Sequence, residues 1–148
     1  MRNISNFAKI TKVKDTSAAA QTAVNSDGVD MTGFETVLFL VNAGAITSGG
    51  VQSINAAQSD DDGSADDYTD LLGTKVTVAD DDDNQLFWVE VVNPQKRYVR
   101  LEIARATQDS AFGPIYAFQA GANLKPTDNN VTDTITGELH VSPAEGTA

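Results

Sequence analysis

The sequence predicts an all-β protein: an antiparallel β-sandwich or a jelly-roll-like domain, followed by an irregular C-terminal extension. Three observations carry this reading. Apolar stretches rich in β-branched and aromatic residues recur along the chain, with turn residues between them. The clearest, Arg97–Arg105, alternates: Val99, Leu101 and Ile103 share one face, and Arg100 and Glu102 lie on the other. No stretch carries apolar residues at a sustained helical period, and no internal repeat of fixed length is visible.

The elements follow in order. Ile4 to Val13 alternates imperfectly and reads as a first strand. Asp15 to Asp30 is rich in Ala, Ser and Thr and contains the turn signal Asn25-Ser26-Asp27-Gly28. Ala18-Ala19-Ala20 could nucleate a short helix, but no apolar stripe supports one. Phe34 to Asn42 is apolar on both parities, as expected of a strand buried on both faces. Gly44 to Gly50 is a small-residue connection, and Val51 to Ser59 alternates weakly.

Ser59 to Asp70 is a long acidic loop, which a helical turn at Tyr68–Leu72 is expected to close. Lys75 to Ala79 alternates, with Val76 and Val78 on one face. Asp80-Asp81-Asp82-Asp83-Asn84 reads as the tip of a hairpin leading into Gln85–Val92. There Phe87, Val89 and Val91 share one face, and Leu86 and Trp88 the other. Asn93-Pro94 ends that strand. After Arg97–Arg105, Thr107 to Gly113 reads as a polar connection and Ile115 to Gln119 as a last strand.

Beyond Gly121 the composition turns polar. Asn123 to Asp133 holds Pro126 and Asn129-Asn130, Thr134 to Val141 could form one more strand or a hairpin arm, and Ser142 to Ala148 is small and polar. The expected organisation is one sandwich domain over residues 1–121, with 1–30 as a candidate N-terminal arm. An extension over 122–148 is expected to pack on the domain or on a neighbouring subunit, because it carries too little apolar surface to fold alone.

Composition excludes much chemistry. The chain has 148 residues, and 10 Lys+Arg against 21 Asp+Glu give a net charge of −11. An apolar fraction of 41% supports a packed core. With no cysteine, disulfides, thiolate metal sites and cysteine nucleophiles are ruled out. The strong negative charge argues against nucleic-acid and anionic-membrane partners, which need positive surface. The longest apolar run, Val37–Val41, is far too short to span a membrane. Lys9, Lys12, Lys14 and Asp15 interrupt any signal-like start, so synthesis and retention in the cytosol are expected.

Each constellation that could carry chemistry is weak. The acidic run Asp60–Asp70 invites calcium, but placing Gly63 at the sixth EF-hand position puts Gln58 first and Thr69 twelfth, both wrong ligands. It is expected to be a solvated loop, with a non-EF calcium site as the alternative. Asp80–Asp83 is expected to be a solubilising turn, with weak cation binding as the alternative. A Ser-His-Asp arrangement would have to use the single histidine, His140, in the polar tail. Glu35, Glu90 and Glu102 fall on strand-like segments without a motif around them. Gly49-Gly50 lacks the continuation of a phosphate loop. Lys96, Arg97, Arg100 and Arg105 gather in one segment and are expected to pair with acids across strands. A salt-bridge patch facing an acidic partner is the alternative for them. No catalytic, cofactor-binding or metal-ligating residue is assigned, no cofactor is expected, and the chain is not expected to be an enzyme.

One resemblance adds to this. The ordered series Asp30–Asn42, Gln58-Ser59-Asp60-Asp61, Asp70–Thr74 and Pro94–Arg100, with the ending His140–Ala148, resembles small structural proteins of tailed bacteriophages. The resemblance spans Asp30 to the C-terminus and contains no catalytic motif. It implies a virion component of the capsid cement (decoration) type. Such a protein would be made in the host bacterial cytoplasm and sit on the capsid surface. Its partners would be the major capsid protein and itself, as a dimer or trimer. A phage neck or tail protein, and a calcium- or carbohydrate-binding β-sandwich module, are the alternatives.

Overall fold

The structure is a computed structural model that describes residues 3–123, 127–129, 134–142 and 144–145. The elements are α1 (Ile4–Phe7), β1 (Lys9–Lys14), β2 (Ser17–Ala20), β3 (Val24–Asn25), β4 (Val29–Asp30), β5 (Thr36–Ile46) and β6 (Val51–Ser59). They continue with β7 (Thr69–Asp70), β8 (Val76–Val78), β9 (Leu86–Val92), β10 (Tyr98–Ala106) and β11 (Ser110–Ala120). Two antiparallel sheets face each other. One runs β1-β11-β5-β9, with β2 also on β11; the other runs β3-β10-β6-β7, with β4 on β10 and β8 on β6.

Period-2 alternation explains why these segments pair as they do. On β5, Val37, Phe39, Val41 and Ala43 point inward and are at most 1% exposed. On β10, Val99, Leu101 and Ile103 do the same. Register sets Ile103 opposite Ile54 and Leu101 opposite Ala56, so the inward side chains of β10 and β6 meet in pairs. Phe112 and Ile115 on β11 and Phe87, Val89 and Val91 on β9 complete the same core. The core therefore lies between two inner faces, the arrangement of a β-sandwich.

Several expectations are corrected. Ile4–Phe7 forms a one-turn helix, α1, and the first strand starts only at Lys9. Ala18–Ala20 belongs to strand β2, because β11 offers it a ladder and no apolar stripe favours a helix. Tyr68–Leu72 forms no helical turn; Thr69 and Asp70 pair with Gln58 and Ala57. Thr107–Gly113 is a connection only to Asp109, since β11 begins at Ser110. Among the described residues, Thr134–Val141 forms no strand beyond a single bridge residue, Ile135. Of the polar stretch 123–133 and the ending 142–148, residues 124–126, 130–133, 143 and 146–148 lie outside the described residues.

The largest correction concerns Asp80–Asn84. It is no hairpin tip. β8 pairs with β6 in one sheet and β9 with β5 in the other, so the acidic segment crosses between sheets. Its carboxylates hold that crossing in place: Asp83 Oδ1 accepts the Ile46 N–H at 2.7 Å, and Asp82 Oδ2 accepts the Ala79 N–H at 2.8 Å.

Candidate functional site

The sequence-flagged groups are not brought together. Glu90 sits opposite Leu38 on the outer face of one sheet, and Glu102 sits opposite Asn55 on the outer face of the other. The two carboxylates cannot share a substrate. His140 is well exposed in the tail, with Glu138 Oε2 3.3 Å from its Nε2. Among the described residues, no cluster of three or more His, Asp or Glu side chains could hold a metal ion.

The acidic loop is self-organised. Asp61 accepts the N–H groups of Ser64, Ala65 and Asp66 at 3.1, 2.7 and 3.0 Å. Those bonds, the one from Asp66 foremost, hold its carboxyl below the usual range. The buried Ser59 hydroxyl accepts the Asp61 and Gly63 N–H groups and donates to the Asp66 carbonyl at 2.6 Å. Tyr68 donates to Asp62, and burial, followed by that bond, raises its phenol well above the ordinary value. Asp80 accepts the Gly49 N–H, which depresses its carboxyl. Asp61, Asp66, Asp80, Asp82 and Asp83 thus accept N–H groups of the chain's own backbone.

The basic segment meets the chain's own acids. Lys96 lies against Asp66 and Asp60. Arg97 forms a two-pronged contact with Asp30, Nε to Oδ1 at 3.0 Å and Nη2 to Oδ2 at 2.6 Å. Arg100 pairs with Glu102 and lies over the Tyr68 ring, 4.0 Å from its centroid. Arg105 differs: it is 8% exposed and donates to the carbonyls of Thr22, Ala18 and Ser110. Desolvation lowers its pKa, yet a guanidinium stays charged.

What the structure assembles instead is an apolar outer face on the β1-β11-β5-β9 sheet. Residues in register across antiparallel strands point to the same face. Trp88 is opposite Leu40, Leu40 opposite Tyr116, and Tyr116 opposite Lys12. In the next row Glu90, Leu38, Phe118 and Ile10 follow one another. Trp88 and Leu86 are each 60% exposed, Val92 63% and Tyr116 38%, while Leu38, Leu40 and Phe118 are half-buried. Contiguous apolar surface of this kind marks an interaction site more often than isolated apolar residues do.

Phe34–Asn42 was expected to be buried on both faces. Only its inward parity is, because among the described residues no second layer seals Leu38 and Leu40. Apolar character on both parities is the sequence signal for this surface.

No family model matches the chain, and no curated protein matches it. One solved structure shares its fold and two others are more distantly similar. The PBSX exported protein XepA is 19% identical with a TM-score of 0.55, over 95% of this chain and 46% of that one. The chain thus spans about half the length of XepA. A Bacillus endospore appendage protein, from a family of disulfide-linked pili, is 16% identical with a TM-score of 0.45, over 78% of this chain and 89% of that one. The CBM22-1–GH10 modules of a Clostridium thermocellum xylanase are 11% identical with a TM-score of 0.46, over 88% of this chain and 27% of that one.

Proposed function

We propose that this chain is a phage virion structural protein of the capsid cement type, which binds the outer head lattice as a symmetric oligomer and bridges major capsid protein subunits. The observation that carries the proposal is the outward-facing apolar row Trp88–Leu40–Tyr116 on a sandwich whose Asp61, Asp80, Asp82 and Asp83 carboxylates bind the chain's own backbone and whose Lys96, Arg97 and Arg100 pair with the chain's own acids. Such a molecule offers a contact surface in place of a reacting centre. The sequence resemblance and the fold shared with the PBSX exported protein XepA support it. The role is non-enzymatic. Binding the expanded lattice more tightly than other states would stabilise that lattice by mass action.

The test compares particles prepared with and without this chain. Particles lacking it should release DNA at lower temperature, and adding the purified chain back should restore the difference. Equal survival through heating and salt shock overturns the stabilising role. Counting copies separates the head from the neck: hundreds per particle fit cement, whereas about six to twelve fit a neck or tail ring.

A further inference from the structure

β9 is the one long strand edge left unprotected among the described residues. The other edges are blunted. β3, β4 and β7 are two residues each and β8 three. β1 carries Lys9, Lys12 and Lys14, and its Ile10 N–H is already bonded to Asn129 Oδ1 at 2.7 Å. Short strands and edge lysines are standard protections against further pairing. β9 has neither: its seven residues, Leu86–Val92, contain no Lys and no Pro, and no strand lies beyond it.

The direction of its free backbone groups follows from two bonds. The Ala43 N–H donates to the Gln85 carbonyl, and the Asn93 N–H donates to the Glu35 carbonyl. Odd positions therefore turn their backbone groups toward β5. Leu86, Trp88, Glu90 and Val92 turn theirs to the open side.

We propose that β9 pairs antiparallel with β9 of a second copy of this chain, about a two-fold axis at Val89, joining two five-stranded sheets into one. This deepens the oligomeric part of the function proposed above and rests on that part alone. The register is selected by three constraints. A shift of one residue would set outward backbone groups against inward ones and lose the ladder. A two-fold axis at Glu90 would put two carboxylates face to face, which is unfavourable. An axis at Trp88 would set Val92 against Asn84, whose φ of 61° cannot continue a strand. With the axis at Val89, Leu86 faces the partner's Val92 and Trp88 faces the partner's Glu90. Every outward backbone group then finds a partner.

An isologous contact of this kind closes at two copies.

The experiment is sedimentation equilibrium of the full chain up to about 100 μM, a range that detects micromolar association. A dimer is expected. Trp88→Glu should weaken it at least tenfold by opposing Glu90 on both sides of the axis. The double variant Trp88→Glu/Glu90→Lys should restore it, because each new carboxylate then faces an ammonium group. Trp88 is 60% exposed, so the variants should keep the parent melting profile. Trp88 is also the sole tryptophan, so wild-type emission should shift to the red on dilution, a readout that needs no variant. A monomer at the highest concentration, a trimer, or a dimer indifferent to Trp88→Glu overturns the inference. A monomer that still binds heads sinks this inference alone, and a dimer that does not bind them sinks the capsid proposal alone.

Discussion

Arg105 Nη1 donates to the Ser110 carbonyl at 2.7 Å, joining β10 of one sheet to β11 of the other through a buried guanidinium. The same side chain reaches the carbonyls of Ala18 and Thr22 and the Thr22 hydroxyl. One residue thus collects carbonyls from β2, from the segment after it and from β11, at the end of the sandwich where the Thr107–Asp109 turn links the sheets. The Thr107 φ of 71° shows how tight that turn is.

Arg105→Lys should therefore destabilise well beyond the loss of one surface contact. An ammonium group cannot reach all four acceptors in the plane the guanidinium spans, and the buried Ser110 carbonyl is among those at risk of losing its donor. A loss of about 2–3 kcal/mol is expected. Urea unfolding with an unchanged slope and a lowered midpoint would show it. An unchanged midpoint would mean that the cluster contributes nothing net.

Asp30 and Arg97 predict part of the acid limb. The Arg97 guanidinium, foremost through its hydrogen bonds, holds the Asp30 carboxyl far below its ordinary value. A carboxylate depressed on folding adds stability that is complete above the unfolded pKa of about 3.9 and is lost as pH falls toward the folded value. The pair is exposed, at 54% and 39% for the two side chains, so screening limits it to about 0.5–1 kcal/mol. Asp30→Asn should lower stability at pH 7 by that amount and flatten the decline below about pH 4. The check is the melting temperature followed from neutral to acid pH; parallel curves for the two proteins would refute the assignment.

Asp61 should matter to the loop more than to the fold. Its carboxylate closes three backbone N–H groups within the Ser59–Asp67 turn. Asp61→Ala should cost about 1 kcal/mol and speed hydrogen exchange at Ser64, Ala65 and Asp66 while sparing β10. Because those oxygens are already engaged, calcium at about 5 mM should leave the melting temperature of the native chain unchanged. A calcium-dependent rise would instead support the metal-binding alternative.

The legible part of this protein was whatever depended on local alternation. Val51–Ser59 has the bounds the sequence predicts, and Val99, Leu101 and Ile103 share one face as the pattern predicts, the buried one. The division of β9 into two faces was legible too, Phe87, Val89 and Val91 on one and Leu86 and Trp88 on the other, but only the structure shows that the first is the buried one. Sheet membership was not. Asp80–Asn84 between two strand-like runs has the local form of a hairpin, and only the ladders to β6 and β5 reveal a crossing between sheets.

The sequence by itself determined the strand periodicity, the missing cysteine and histidine chemistries, and the concentration of carboxylates in two segments. Those properties belong to residue types and their spacing, and they survive any arrangement of the strands. Tertiary structure decided what they meet. Register across three strands lined up Trp88, Leu40 and Tyr116 into one face, although 28 positions separate Tyr116 from Trp88 and 48 separate Trp88 from Leu40. It also bonded Asp61, Asp80, Asp82 and Asp83 to backbone N–H groups and left β9 as the open edge. Hydrogen-bond pairing between distant segments sets these relationships, and no local pattern encodes which strand a given edge will find.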